Sequence, residues 1–144
     1  MTYEEALKIV GKAFEGLKDK GGEDYERHLW RVARNVPKRL MVPAVLHDLL
    51  EDCPEWNPEK LLAAGLSKED LDLVLLLTRH KGLTYDGYIN SISTNKDAVI
   101  IKLADLRDNM NITRLQEITD KDIERLKKYH KSYKFLVGKL FNNN

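Results

Sequence analysis

The sequence holds a single cysteine, Cys53, so no internal disulfide framework is available and a reducing, cytoplasmic setting is expected. No apolar run reaches the roughly 18 to 20 residues that a membrane span needs. The opening residues, MTYEEALK, carry neither a basic region nor an apolar one, which argues against a secretory signal. Charge of one sign is also missing: 24 basic residues face 23 acidic ones, for a net charge of +1, so no global field draws the chain to nucleic acid or membrane. Repeats are absent, and the only low-complexity stretch is the closing Asn142–Asn144, read as a frayed tail. Composition does not shift along the chain as it would at a linker. With 42% apolar and 33% charged residues, the 144 residues read as one soluble globular domain, 1–144.

What is present is helical periodicity. Thr2 and Glu5 form a capping box ahead of the stripe Ala6, Ile9, Val10, Ala13, Phe14 and Leu17, with Gly21-Gly22 as the stop. A second helix is expected from about Asp24 to Asn35, with Leu29, Val32, Ala33 and Val36 inward. A third runs from about Leu40 to Glu51. It is apolar on most sides, which marks it as the buried central helix, with Pro43 in its first turn. Asn57-Pro58 opens a short fourth helix closed by Gly65. Ser67 caps a fifth that carries Leu71, Val74, Leu75 and Leu77 and stops at Gly82, near His80. A short helix follows around Tyr85–Ile92. The β-branched Val99-Ile100-Ile101 favours strand by propensity, but Val99, Leu103, Leu106 and Met110 keep a helical spacing and no second β run exists to pair with it. A long helix from about Asp120 to Leu140 closes an all-α bundle.

The chemistry concentrates in Val45-Leu46-His47-Asp48-Leu49-Leu50-Glu51-Asp52. Four ionisable residues end a buried helix, and buried charge costs several kcal/mol unless it is paired or bound to a metal. Acids at a helix C-terminus also oppose its macrodipole. A second cluster is Lys102-Leu103-Ala104-Asp105-Leu106-Arg107-Asp108-Asn109, and a third candidate is His28. Each has a bland reading: a lone histidine is more often structural, and Asp105 could be a plain exposed acid. Taken together, His28, His47, Asp48 and Asp105 supply two imidazoles and two carboxylates. That mixed donor set suits Mn, Fe or Zn and leaves positions for water and a phosphate oxygen. Arg107 and Asp108 read as solvated surface as readily as catalytic groups. Cys53 lacks an activating basic partner and reads as structural. His80, His130 and the basic run Arg125–Lys131 read as surface, and Tyr85 and Tyr88 as core.

The pattern His28, His47-Asp48, Asp105 resembles the HD-domain phosphohydrolase superfamily, and more closely the hydrolase domain of the RelA/SpoT-type alarmone enzymes. Lys20 through His28 is similar to that family's Gly-Glu-x-Tyr-x-x-His, Ala44 through Asp52 to its Ala-x-Leu-His-Asp-x-x-Glu-Asp, and Ile101 through Met110 to its Ile-Lys-Leu-Ala-Asp-x-x-x-Asn-Met. The resemblance runs from about Lys20 to Leu115. Leu29 stands where the family has proline, and Leu106-Arg107-Asp108 where it has Arg-Leu-His. The synthetase domain of long members is missing, so a small stand-alone alarmone hydrolase is expected.

The resemblance implies removal of the 3′-pyrophosphate from guanosine tetra- or pentaphosphate. Its usual metal is manganese, held by His28, His47, Asp48 and Asp105, with Fe, Zn or Mg as alternatives. Glu51 and Asp52 resemble the acidic pair that orients the attacking water and handles its proton, Asn109 would bond the ribose or bridging oxygen, and Lys20, Arg27 and Arg107 are candidates to hold phosphates. Another nucleotide, a dinucleotide phosphate or a modified RNA 3′ end are alternative substrates of the same centre. A catalytically silent nucleotide sensor is the reading from a different class. The implied partner is a small-molecule nucleotide, with no membrane and with nucleic acid only as an RNA end; the sequence does not indicate an oligomeric state.

Overall fold

The computed structural model describes residues 1–142; Asn143 and Asn144, part of the segment read as a frayed tail, lie outside the described residues. The described residues form nine α-helices and two short 3-10 turns, with no strand. The only β-type pairing among the described residues is an isolated antiparallel bridge between Lys18 and Asp24. The helices are α1 (Tyr3–Ala13), α2 (Glu26–Arg34), α3 (Met41–Val45), α4 (Leu49–Asp52), α5 (Pro58–Ala63), α6 (Lys68–Leu76), α7 (Tyr85–Ile92), α8 (Lys96–Asn109) and α9 (Asp120–Asn142).

Local chemistry sets most of the starts. Thr2 and Glu5 close both halves of the capping box on α1. Side-chain oxygens of Asn57, Ser67, Thr84 and Asn95 accept from backbone N–H groups in the first turns of α5, α6, α7 and α8. Glycine sets two of the stops. Gly65, at φ +101°, follows α5 as expected, whereas α1 ends well before Gly21-Gly22, because the chain turns at Gly16 with φ +82°. Leu17, assigned to the apolar stripe of α1, therefore lies outside the helix and is 43% exposed. Helix α6 likewise stops at Leu76, short of Gly82.

Two differences bear on the site. The expected helix from Leu40 to Glu51 is split, with α3 and α4 flanking a turn at Leu46–Asp48. The hydrogen bonds there tighten to the i→i−3 pattern: His47 N donates to Ala44 O at 3.3 Å and Leu49 N to Leu46 O at 3.0 Å. The Ala44 carbonyl also receives the His47 ring at 2.7 Å, so the side chain that interrupts the helix also binds the break. Secondly, the most enclosed helix is α8 as much as α3. Residues 101–106 are buried without interruption, and α8 packs against α2, α6, α7 and α9. Burial on every side overrides the strand propensity of Val99-Ile100-Ile101. Helix α3 packs against α1, α2 and α6. Helix α2 touches both α3 and α8, and so brings three chemistry-bearing segments to one point.

None of the described helices is long and apolar enough to cross a membrane. Ile101 is fully buried at the middle of α8. Ile101→Ala is expected to cost about 2–5 kcal/mol of stability by urea denaturation, and a loss under about 1 kcal/mol would contradict the central place given to α8.

Candidate metal centre

Three segments meet at the floor of a cleft. Helix α2 brings His28, the turn between α3 and α4 brings His47 and Asp48, and α8 brings Asp105. One donor atom from each of these residues lies within 4.8 Å of the other three. His28, His47 and Asp105 are 2–4% exposed. His28 Nε2 stands 3.0 Å from Asp105 Oδ1 and 3.8 Å from Asp48 Oδ2, and His47 Nε2 stands 3.1 Å from Asp48 Oδ2 and 3.3 Å from Asp105 Oδ1.

The far sides of both rings are engaged. His47 Nδ1 meets the Ala44 carbonyl at 2.7 Å, and His28 Nδ1 meets Asp108 Oδ2 at 2.6 Å. A carbonyl and a carboxylate can only accept, so both Nδ1 atoms carry a proton, and in the neutral ring that a cation requires each Nε2 would present its lone pair to the centre. Each Nε2 is buried and has no partner in hydrogen-bonding geometry. Two unpartnered nitrogens facing two carboxylates, with their opposite nitrogens tied to backbone oxygen or acid, suit a divalent cation of the Mn, Fe or Zn type.

The carboxylates are held from behind. Asp105 Oδ2 accepts from Lys102 Nζ at 2.7 Å and its Oδ1 from Asn109 Nδ2 at 3.0 Å. Asp48 Oδ2 accepts from the Tyr25 hydroxyl at 2.7 Å, and the Tyr25 ring stacks on Phe14 at 5.3 Å. Burial opposes ionisation of Asp105, but Lys102 and the two histidines outweigh it and hold the group well below the usual carboxylate range. In the same way burial pulls the His28 pKa down, yet Asp105 and Asp108 carry it up to about 9. His47 also rises, against its own burial, because Asp48 and Asp105 face it.

Above this floor lies a cavity of about 460 Å³ whose walls include Lys20, Tyr25, Glu51, Arg79, Tyr85 and Lys128. The other sequence candidates divide around it. Asn109 lines it while bonded to Asp105, and Glu51 lines it with Oε1 accepting from the Arg79 backbone N–H at 2.6 Å. Asp52 is exposed and outside the lining; partial desolvation and its neighbours Asp48 and Glu51 push its carboxyl up to about 6. Arg27 and Arg107, expected to hold phosphates, are exposed and do not line the cavity. The Arg107 guanidinium instead lies 5.8 Å over the Tyr133 ring, on the far side of α8 from Asp105.

Other expectations fare differently. Cys53 is buried and free, and burial raises its thiol to about 11, as suits a structural residue. Tyr88 is core, its hydroxyl bonded to Leu77 O at 2.7 Å, but Tyr85 is half-buried on the cavity wall. Asp108 is no surface acid: its side chain is 10% exposed and bonded to His28 and Arg31. The sequence reading missed Tyr25, Lys102 and Asp108 as supports of the four. Tyr25 and Lys102 lie inside the quoted motifs, and a lysine amid an apolar run is a legible sign of a buried acid nearby.

This arrangement of helices is shared with a solved structure. The chain superposes on the solved structure of a metazoan ortholog of SpoT, described as hydrolysing ppGpp and playing a role in starvation responses. The TM-score is 0.75 at 22% identity, covering 99% of this chain and 86% of that one. No family model matches the sequence, and no curated protein matches it.

The pKa pattern fixes the sign of a pH effect. His28 is raised from 6.5 to about 9, so in metal-free protein its contribution is present below pH 6.5 and is lost as the pH climbs through 9. Denaturation in the presence of a chelator should therefore show His28-linked stability falling across that window. Saturating manganese should offset the fall, since the cation requires the neutral ring. A chelated protein whose stability rises over the same window would contradict the charge arrangement.

Proposed function

We propose that the chain is a metal-dependent phosphohydrolase that removes the 3′-pyrophosphate from guanosine tetra- or pentaphosphate, with residues 1–144 acting as one HD-type domain. One observation carries the reading: two buried, unpartnered histidine nitrogens face a buried and a half-buried carboxylate at the floor of an open cavity. The fold supports it, being shared with a protein described as a ppGpp hydrolase. His28, His47, Asp48 and Asp105 would hold one divalent cation, for which manganese is the first choice and Fe, Zn and Mg the alternatives. When bound, such a cation supplies Lewis-acid polarisation of a phosphoryl oxygen and makes a nearby water more acidic.

The chain's own residues then divide the remaining work. Glu51, fixed by the Arg79 amide, orients the attacking water at the cavity wall. Asp52, with its carboxyl near 6 but outside the cavity lining, would exchange a proton with the attacking water by relay and not by direct contact. Asn109 bonds the ribose or bridging oxygen from beside Asp105.

The upper wall fits a polyanionic nucleotide. Lys20, Arg79, Arg125 and Lys128 all line the cavity. Burial, then the neighbouring cations Arg79, Arg125 and Lys102, lower the Lys128 pKa, a crowding of like charge that a phosphate group would relieve. Tyr85 and Tyr129 offer aromatic faces between these cations, with Lys128 Nζ 4.5 Å from the Tyr85 ring centre. The balanced net charge of the whole chain conceals this patch. A lone cysteine, buried and free, suits a cytoplasmic enzyme.

Purified protein with added manganese should release pyrophosphate from guanosine tetraphosphate, and His47→Ala and Asp48→Ala should each lose both bound metal and activity. Metal binding without release from this substrate would turn the reading to another phosphorylated nucleotide. Lys128→Ala should raise KM by about tenfold while leaving kcat within about threefold, and a loss confined to kcat would remove Lys128 from the binding wall.

A further inference from the structure

Asp108 occupies a place that the proposed reaction leaves unassigned. It lies one turn after Asp105 on α8, at a position where the sequence departs from the pattern it resembles. Its Oδ2 is 2.6 Å from His28 Nδ1. Arg31, one turn after His28 on α2, grips both oxygens of the same carboxylate, with Nε donating to Oδ1 at 2.7 Å and Nη2 to Oδ2 at 3.1 Å. The remaining fork of Arg31 reaches Glu23 Oε2 at 3.3 Å, which ties the clamp to the loop before α2. A bidentate guanidinium fixes the plane of the carboxylate, and the carboxylate in turn limits rotation of the imidazole.

The two histidines of the centre differ in this respect. His47 Nδ1 donates to the neutral Ala44 carbonyl, whereas His28 Nδ1 donates to an ionised acid. An anionic acceptor increases the electron density at the opposite ring nitrogen and orients it. That nitrogen, His28 Nε2, is the one left without a hydrogen bond and facing Asp105 and Asp48.

We propose that Asp108 is a positioning residue for the metal centre: clamped by Arg31, it accepts the Nδ1 proton of His28 and so fixes the tautomer and ring plane that present Nε2 to the cation. This rests on the metal-dependent reading above. Asp108 touches neither substrate nor metal; it acts through His28.

The test is manganese affinity, measured by competition with a fluorescent chelator and read independently of turnover. Asp108→Leu should weaken binding by about 10–100-fold, and Asp108→Asn by less, since an amide oxygen still accepts the Nδ1 proton. Asp108→Glu should retain more affinity than either. Asp97→Ala, which removes an exposed pair with Arg39 elsewhere on α8, serves as a control for general loss of a salt bridge and should leave affinity unchanged. Wild-type affinity in Asp108→Leu overturns the proposal while leaving the metal centre standing. Should Asp108→Leu fail to fold, Asp108→Ala, smaller and equally unable to accept the proton, decides: a loss of about tenfold or more supports the assignment, and a smaller one overturns it. Absence of manganese binding in the wild type would overturn the metal reading itself, and the role of Asp108 with it.

Discussion

The structure turns on the Asp105 carboxylate. It is 4% exposed, in surroundings where an unpaired charge would be prohibitive, and it faces a second carboxylate, Asp48, across the same small space. What makes it tolerable is the ring of donors around it. Lys102 and Asn109 come from its own helix and point at its two oxygens, and the two imidazoles lie opposite. Removing Lys102 would leave the carboxylate without its ammonium partner, and removing Asn109 would leave Oδ1 without that donor.

The scaffold serves that constraint. A helix carrying Asp105 has to be enclosed, and α8 is, by α2, α6, α7 and α9. The histidines have to approach from two further directions. His28 does so from α2, and His47 does so because the helix before it breaks at residues 46–48. An unbroken helix would set His47 and Asp48 about 100° apart around its axis. The tightened turn instead brings His47 Nε2 and Asp48 Oδ2 to 3.1 Å, with the ring's other nitrogen capping the Ala44 carbonyl. The local departure from regular helix is thus part of the centre.

Cationic side chains gather on the walls above the floor. The carboxylates of Asp48 and Asp105 and the imidazole of His28 lie at the bottom of the cavity, while lysines, arginines and tyrosines share its walls with Asp19, Glu51 and Asp122, and the whole chain remains near neutral. In the proposed reading, the reacting end of the ligand would meet the metal and its remaining phosphates the lysines and arginines of the wall. Arg27 and Arg107, although inside the motifs in sequence, are exposed on α2 and α8 and do not line the cavity.

Much of this was legible before any coordinates. A capping box, helical spacing and the want of a second β run determine an all-α chain, and His47-Asp48 in an apolar helix end, with His28 and Asp105 at a distance, marks where the chemistry lies. Those signals are local, because propensity and periodicity act within a few residues. What only the tertiary structure decided is non-local. The break at Leu46–Asp48, the retreat of Asp108 from solvent to the back of His28, and the meeting of Lys20, Arg79 and Lys128 across one cavity all depend on which helix faces pack together. A single residue's neighbours in sequence cannot carry that information, since the energy of a buried charge is set by the groups that surround it in space.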